Sequence, residues 1–212
     1  MSRPMSLRAP PPGDHGCRHG ELAELIAAVV CGDRTATRAL LDGVAPFMAR
    51  AARRVLGSGH PDVEDVAQQA LASFAARLGH FRGECSLPHF AERIAVYQAL
   101  TARRDSLVRR RTLVDAADLN VEAVVDPARA PDQEAAARER RALLRQALDR
   151  LPAHQAEALA LHFLFDHTVG EIAGMTGAPE ETVRSRLRNG KAALRDCIQN
   201  DERLAALREV LT

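Results

Sequence analysis

Apolar residues recur at helical spacing almost without a break from Glu21 to Arg111. The run ELAELIAAVV predicts a first helix, and a longer helical stretch over residues 36–56 follows the Gly32-Asp33 break. Gly57, Gly59 and Pro61 punctuate a turn. Residues 62–78 carry the clearest pattern. Val63, Val66, Ala67, Ala70, Leu71 and Phe74 stand at i, i+3, i+4, i+7, i+8 and i+11, one apolar stripe about a third of the helix circumference wide. Gly79 and Gly83 bracket a loop, and Pro88 opens a fourth helix that the pattern carries to about Arg111.

The character changes over residues 112–133. TLVDAADLNVEAVVDPARAPDQ holds five acids (Asp115, Asp118, Glu122, Asp126, Asp132), one arginine and two prolines, the composition of a linker. Helical periodicity returns over 134–150, 152–165, a short segment at 170–175, and 179–199. No strand pattern and no internal repeat interrupts it. The expected fold class is therefore all-α: two small helical domains joined by a flexible linker. Their expected limits are a disordered tail at 1–20, a first domain at 21–111, the acidic linker at 112–133, a second domain at 134–199 and a C-terminal tail at 200–212.

Composition sharpens this picture in three places. Aromatic residues are 3% of the 212, with no Trp, so the cores must be built from Leu, Ala and Val, which suits helix on helix. The net charge of +1 conceals an uneven distribution, and Lys191 is the one lysine among 29 basic residues, a bias that high-GC coding accounts for. The first twenty residues contain Pro and Gly but no apolar run, and nowhere do eighteen apolar residues follow one another. No membrane insertion is expected, and the chain is read as cytoplasmic. Its cysteines (Cys17, Cys31, Cys85, Cys197) are scattered without a CxxC pair, so reduced thiols are expected. His15, Cys17 and His19 form an HxCxH cluster, but flanking glycines argue against a metal, and neither metal nor cofactor is expected. The eight histidines are dispersed and there is no phosphate loop or nucleophile elbow, so an enzyme is not expected.

The stretch TVGEIAGMTGAPEETVRSRLRNGKAALR has the spacing of a helix-turn-helix. Ala173 is small where the two helices cross, and Gly177 supplies a left-handed turn that a β-carbon would hinder. Pro179 sets the start of the second helix, and Val183 and Leu187 pin it to the first. The opposite face presents Glu181, Thr182, Arg184, Ser185, Arg188 and Lys191, a set that suits guanine edges and phosphates in a major groove. Gly190 weakens this helix by about 1 kcal/mol relative to Ala.

With these residues in view the chain resembles the bacterial RNA polymerase sigma factors of the sigma-70 family, the extracytoplasmic-function (ECF) group in particular. Leu151-Pro152, Glu171-Ile172-Ala173, Gly177 and Thr182-Val183-Arg184-Ser185-Arg186-Leu187 resemble region 4 of that group. Val63-Glu64-Asp65 with Gln68, His80-Phe81-Arg82-Gly83-Glu84 and Arg93-Ile94-Ala95 resemble its region 2. The resemblance covers about residues 36–111 and 140–197. It implies a factor that binds core RNA polymerase and directs promoter recognition and transcription initiation. Its implied partners are the β′ clamp and β flap of the polymerase, promoter DNA and an anti-sigma factor.

The resemblance also assigns roles. Glu64, Asp65, Gln68 and Gln69, off the apolar stripe of the third helix, would grip the β′ clamp. Phe81, Arg82, Gly83, Glu84, Arg93, Tyr97, Arg103 and Arg104 would serve the −10 element, where a base is flipped from the stack. The six arginines at 93, 103, 104, 109, 110 and 111 make this a face for phosphates. Glu181, Thr182, Arg184, Ser185, Arg186, Arg188 and Lys191 would read the −35 element. The family usually has Trp, Asn and Asp where this chain has Phe90, Tyr97 and Thr101, and Asn189-Gly190 replaces a basic and small pair. The departures at Tyr97 and Thr101 motivate an alternative, a sigma-like DNA-binding regulator that has lost promoter melting. The acidic linker is further expected to tether the two domains across basic surfaces in the free protein.

Overall fold

A computed structural model describes residues 18–57, 59–114 and 132–200, all helix and connecting turn, with no strand among them. The helices are α1 (Arg18–Val30), α2 (Arg34–Leu56), α3 (Val63–Arg77), α4 (Leu87–Val114), α5 (Asp132–Leu148), α6 (Ala153–Phe163), α7 (Val169–Thr176) and α8 (Glu180–Gln199). A 3₁₀ turn at Leu78–His80, not foreseen from the pattern, closes α3. None of the described helices is long and apolar enough to cross a membrane.

Element limits differ from the periodicity by a few residues. α1 begins at Arg18, inside the expected N-terminal tail, and α4 continues to Val114, inside the expected linker. Thr112, Leu113 and Val114 contain no helix breaker and prolong α4. α5 starts at Asp132, an acid suited to the positive end of a helix dipole. The remaining linker residues, the HxCxH cluster up to Cys17 and the C-terminal segment 201–212 lie outside the described residues.

The first half is a bundle in which α4 packs on α2 and α3. Leu40, Val44, Met48, Phe74, Leu87 and Ile94 are almost completely buried there. The Asp33 carboxylate accepts from the backbone N–H groups of Thr35 and Ala36 at 2.7 and 3.1 Å, which caps α2 after the Gly32-Asp33 break. In the second half α6, α7 and α8 enclose Leu159, Leu161, Ile172, Val183 and Leu194. The two cores are continuous, because α4 also lies against α6 and α7.

Gly190 has a tertiary reason that its helix propensity hides. It is buried where α8 crosses α6, and a β-carbon there would stand 2.8 Å from Leu159 Cδ1 and 3.1 Å from Leu159 Cγ. Overpacking of this kind costs about 1–3 kcal/mol, against a propensity gain of about 1 kcal/mol. Gly190→Ala is thus expected to lower stability by about 1 kcal/mol in urea unfolding. A midpoint raised above that of the parent protein would show that helix propensity decides this position.

Candidate nucleic-acid interface

α7 and α8 form a helix-turn-helix. Thr168 and Glu171 make a capping box: the Thr168 hydroxyl accepts from the Glu171 N–H at 3.3 Å, and Glu171 Oε2 accepts from the Thr168 N–H at 2.8 Å. These bonds from Thr168 hold the Glu171 carboxyl below its usual pKa range. Gly177 sits at φ 63°, the left-handed turn the sequence requires. Ile172, Met175, Val183 and Leu187 are buried between the helices, and Ala173 packs beside them, half-buried.

The outer face of α8 then carries the residues expected for groove recognition. Glu181, Arg184 and Arg188 are exposed, and Thr182, Ser185, Arg186 and Lys191 are partly so. Gln155 of α6 joins Glu181, Thr182, Ser185, Arg186, Arg188 and Asn189 around a shallow open concavity. Arg184 pairs with Glu180 at 2.6 Å and with Glu181 at 3.6 Å, so its charge is partly offset. Lys191 lies over the Phe163 ring, 5.3 Å from its centroid.

Glu64, Asp65, Gln68 and Gln69 are exposed on α3, as their place off the apolar stripe requires. No side-chain hydrogen bond or ion pair joins them to another described residue. This is an acidic and amide surface of one and a half turns, available to a basic partner.

The loop before α4 and α4 itself are organised differently. Phe81 and Phe74 pack at a tilt against Phe90 with ring centroids 5.1 and 5.9 Å away, so Phe90 anchors the loop to the bundle. Arg82, Gly83 and Glu84 project from that anchor and are exposed, with Gly83 at φ 74°. Tyr97 lies on the solvent side of α4, and the Thr101 hydroxyl donates back to the Tyr97 carbonyl at 2.9 Å. Arg103, Arg104 and Arg93 instead face the second half of the molecule. Arg103 forms a two-pronged pair with Asp149, at 2.8 and 2.5 Å, with both side chains largely buried. Arg104 donates to the Leu151 carbonyl at 2.9 Å, and Arg93 to the buried Glu157 carboxylate at 3.0 Å.

These contacts form a seam between the halves. Arg145 of α5 reaches across it to the Arg54 carbonyl at the end of α2, 3.2 Å away. Burial, with Arg103 and Arg141 nearby, lowers its pKa to about 10, which still leaves it charged at neutral pH. His167, in the turn before α7, bonds Glu92 of α4 at 2.6 Å, and His89 meets the His167 ring edge-on at 4.9 Å. Gly174 of α7 lies against the Glu84 carbonyl.

Sequence reasoning assigned none of Glu92, Asp149, Glu157, His167 or Gly174. Glu157 offered one signal: it stands on the apolar side of α6 among alanines and leucines, where an acid needs a buried partner. The expected tether was the acidic linker. That linker lies for the most part outside the described residues, and within them the seam is held by Asp149, Glu157 and the turn carrying His167.

Cys85, in the anchored loop, is half-buried, and that burial pushes its thiol up to about 11 from 9.0. The shift leaves about two orders of magnitude less thiolate at a given pH. Cys85 is therefore expected to alkylate far more slowly than the exposed Cys31 at pH 8. Peptide mapping after timed iodoacetamide treatment checks this, and equal rates would mean that the loop opens freely.

Comparison with known proteins agrees with the sequence resemblance. Residues 141–194 match the family described as Sigma-70, region 4. The chain is 31% identical over 172 residues to the ECF RNA polymerase sigma factor SigM of Mycobacterium tuberculosis, covering 81% of this chain and 82% of that one. Among solved structures, the sigma factor RpoE in complex with the anti-sigma factor NepR from Bartonella quintana is 22% identical. That likeness has a TM-score of 0.43 over 74% of this chain and 93% of the other. CnrH in complex with the cytosolic domain of CnrY is 20% identical with a TM-score of 0.46, over 84% and 97%.

Proposed function

The chain belongs to the ECF group of RNA polymerase sigma factors, and we propose that it works by exchanging an internally paired, closed form for an open form bound to polymerase and promoter. The observation that carries the family is the 31% identity across both halves of the chain. A sigma factor directs promoter recognition by core RNA polymerase at transcription initiation and is not an enzyme. The reading in which promoter melting is lost is not favoured, because the likeness spans both halves rather than the helix-turn-helix alone.

Each surface takes a role from its chemistry. The exposed Glu64, Asp65, Gln68 and Gln69 suit a basic coiled surface of the polymerase clamp, where charge steers encounter. The outer face of α8 suits the major groove of the −35 element, with Arg186 and Arg188 as the main donors to bases and phosphates. Because Glu180 and Glu181 oppose phosphate and partly offset Arg184, groove binding by this half alone is weak and depends on the polymerase. Phe81, Arg82, Gly83 and Glu84, together with the exposed Tyr97 of α4, suit an unstacked base of the −10 element.

Arg93, Arg103 and Arg104 suit the phosphates beside it, but only after they leave Glu157, Asp149 and the Leu151 carbonyl. A carboxylate and a phosphate oxygen make the same two-pronged bond with a guanidinium, so the seam acids stand where DNA would. For Arg93 and Arg103 opening therefore exchanges one anionic partner for another, while the Glu157 and Asp149 carboxylates return to water. The β flap is the natural support for the second half once it has moved away. An anti-sigma protein that favours the closed form is the expected regulator, and the cytoplasm is the expected compartment.

Run-off transcription on a promoter library, with purified core polymerase and this chain, tests the reading. Discrete transcripts that depend on the chain are expected. Binding to core without transcripts would move attention to Tyr97 and Thr101, and no binding to core would overturn the assignment of α3.

A further inference from the structure

We propose that the seam holds a divalent transition-metal site, with His89, His167 and Glu171 as ligands, that staples the two halves in the closed form. One donor atom from each of these side chains lies within 4.8 Å of the others. Zinc bound tetrahedrally at about 2.0–2.2 Å places neighbouring donors roughly 3.3 Å apart, so the site needs only small side-chain rotations to close around an ion. Two imidazoles and a carboxylate suit Zn²⁺, Co²⁺ or Ni²⁺, and not Mg²⁺ or Ca²⁺, which take oxygen ligands.

The surroundings add what a ligand set needs beyond three donors. His167 is buried, and its backbone is fixed by the bond from its N–H to the Leu161 carbonyl at 3.1 Å. Its carbonyl in turn meets His162 Nδ1 at 2.9 Å. Glu92 Oε2 lies 2.6 Å from His167 Nε2, and Glu171 Oε2 lies 3.9 Å from Nδ1 on the other side of the ring. A proton held on Nε2 by Glu92 leaves the Nδ1 lone pair facing Glu171, the carboxylate–histidine–metal arrangement. Glu171 is itself oriented by Thr168 through the capping box, and its exposure leaves the fourth coordination position to solvent. The donors come from opposite sides of the seam: His89 from α4, His167 and Glu171 from the turn and first turn of α7. An ion bound to all three cross-links the halves as a disulfide would, but reversibly. The inference concerns closure of the free chain and stands whichever promoter the protein reads.

Titration of the metal-free full-length protein with Co²⁺ tests the site. One equivalent is expected to give the intense visible bands of a four- or five-coordinate ion without a thiolate-to-cobalt charge-transfer band. Zn²⁺ at a hundred times its Kd is expected to raise the melting temperature by about 5–10 °C. His89→Gln is expected to abolish both effects while melting like the metal-free parent. Glu92→Gln, which leaves all three ligands in place, is expected to weaken affinity about 10- to 100-fold. It carries the test if His89→Gln does not fold. A triple variant His15→Ala, Cys17→Ser, His19→Ala is expected to behave like the parent. Loss of the signal in that triple variant, its survival in His89→Gln, or weak octahedral bands alone would overturn the proposal.

Discussion

Asp149→Asn is expected to open the chain and to tighten its binding to promoter DNA at least tenfold in the absence of polymerase. Arg103 is buried in its pair with Asp149, its side chain 15% exposed and that of Asp149 6%. An isostere without charge leaves the guanidinium buried and uncompensated, a loss of about 3–5 kcal/mol if the surroundings stay rigid. They need not stay rigid, because the halves can part at the seam and return Arg103 to water. The free energy of opening therefore caps the cost, and the variant opens before it unfolds. If the closed form holds nine molecules in ten or more, its removal raises apparent DNA affinity by about ten or more. Fluorescence anisotropy with a forked promoter fragment measures the gain, and small-angle scattering should show a larger radius of gyration.

Arg103→Gln provides the control. It breaks the same pair, so the chain should open, but it also removes a phosphate contact, so affinity should rise less. An Asp149→Asn protein with unchanged affinity and radius would mean that the seam does not limit access to DNA.

The second large effect is expected from Gly174→Ala. A β-carbon at this position would lie 2.6 Å from the backbone oxygen of Glu84, across the seam, and a backbone atom cannot rotate away. α7 and the loop before α4 must separate, at a cost of about 1–3 kcal/mol. Within α7 itself alanine favours the helix by about 1 kcal/mol. The two effects have opposite signs and distinct readouts. Far-UV circular dichroism should show helix content maintained, while scattering reports opening and DNA binding increases. A variant that stays compact, with the parent's affinity, would mean that the loop yields at no cost. Combined with Asp149→Asn the gain should be less than the sum, because both changes act on one opening equilibrium.

Much of the site was legible because it follows from periodicity. The apolar stripe of α3 leaves Glu64, Asp65, Gln68 and Gln69 outward, and all four are exposed. Gly177, Val183 and Leu187 announce a helix-turn-helix, since a left-handed turn and two pins a turn apart answer local needs. Phe90 departs from the family's usual Trp, yet its packing against Phe74 and Phe81 keeps an aromatic anchor under the loop.

The arginines of α4 mark where such reasoning stops. A run of positive charge reads as a surface for phosphate, and nothing in residues 93–111 announces that its counter-anions lie in residues 149 and 157. Gly190 and Gly174 read as helix weaknesses, but one admits Leu159 and the other the backbone of Glu84. The four seam groups His89, Glu92, His167 and Glu171 are separated by up to 82 positions and looked dispersed. The sequence by itself determined the helices, the outward α3 and α8 faces and the family, because these depend on neighbours within one or two turns. Only the tertiary structure decided which charges meet, which glycines are needed and where two histidines and two carboxylates converge. Those depend on how α4 lies against α6 and α7, a packing set by shape and burial that no local pattern records.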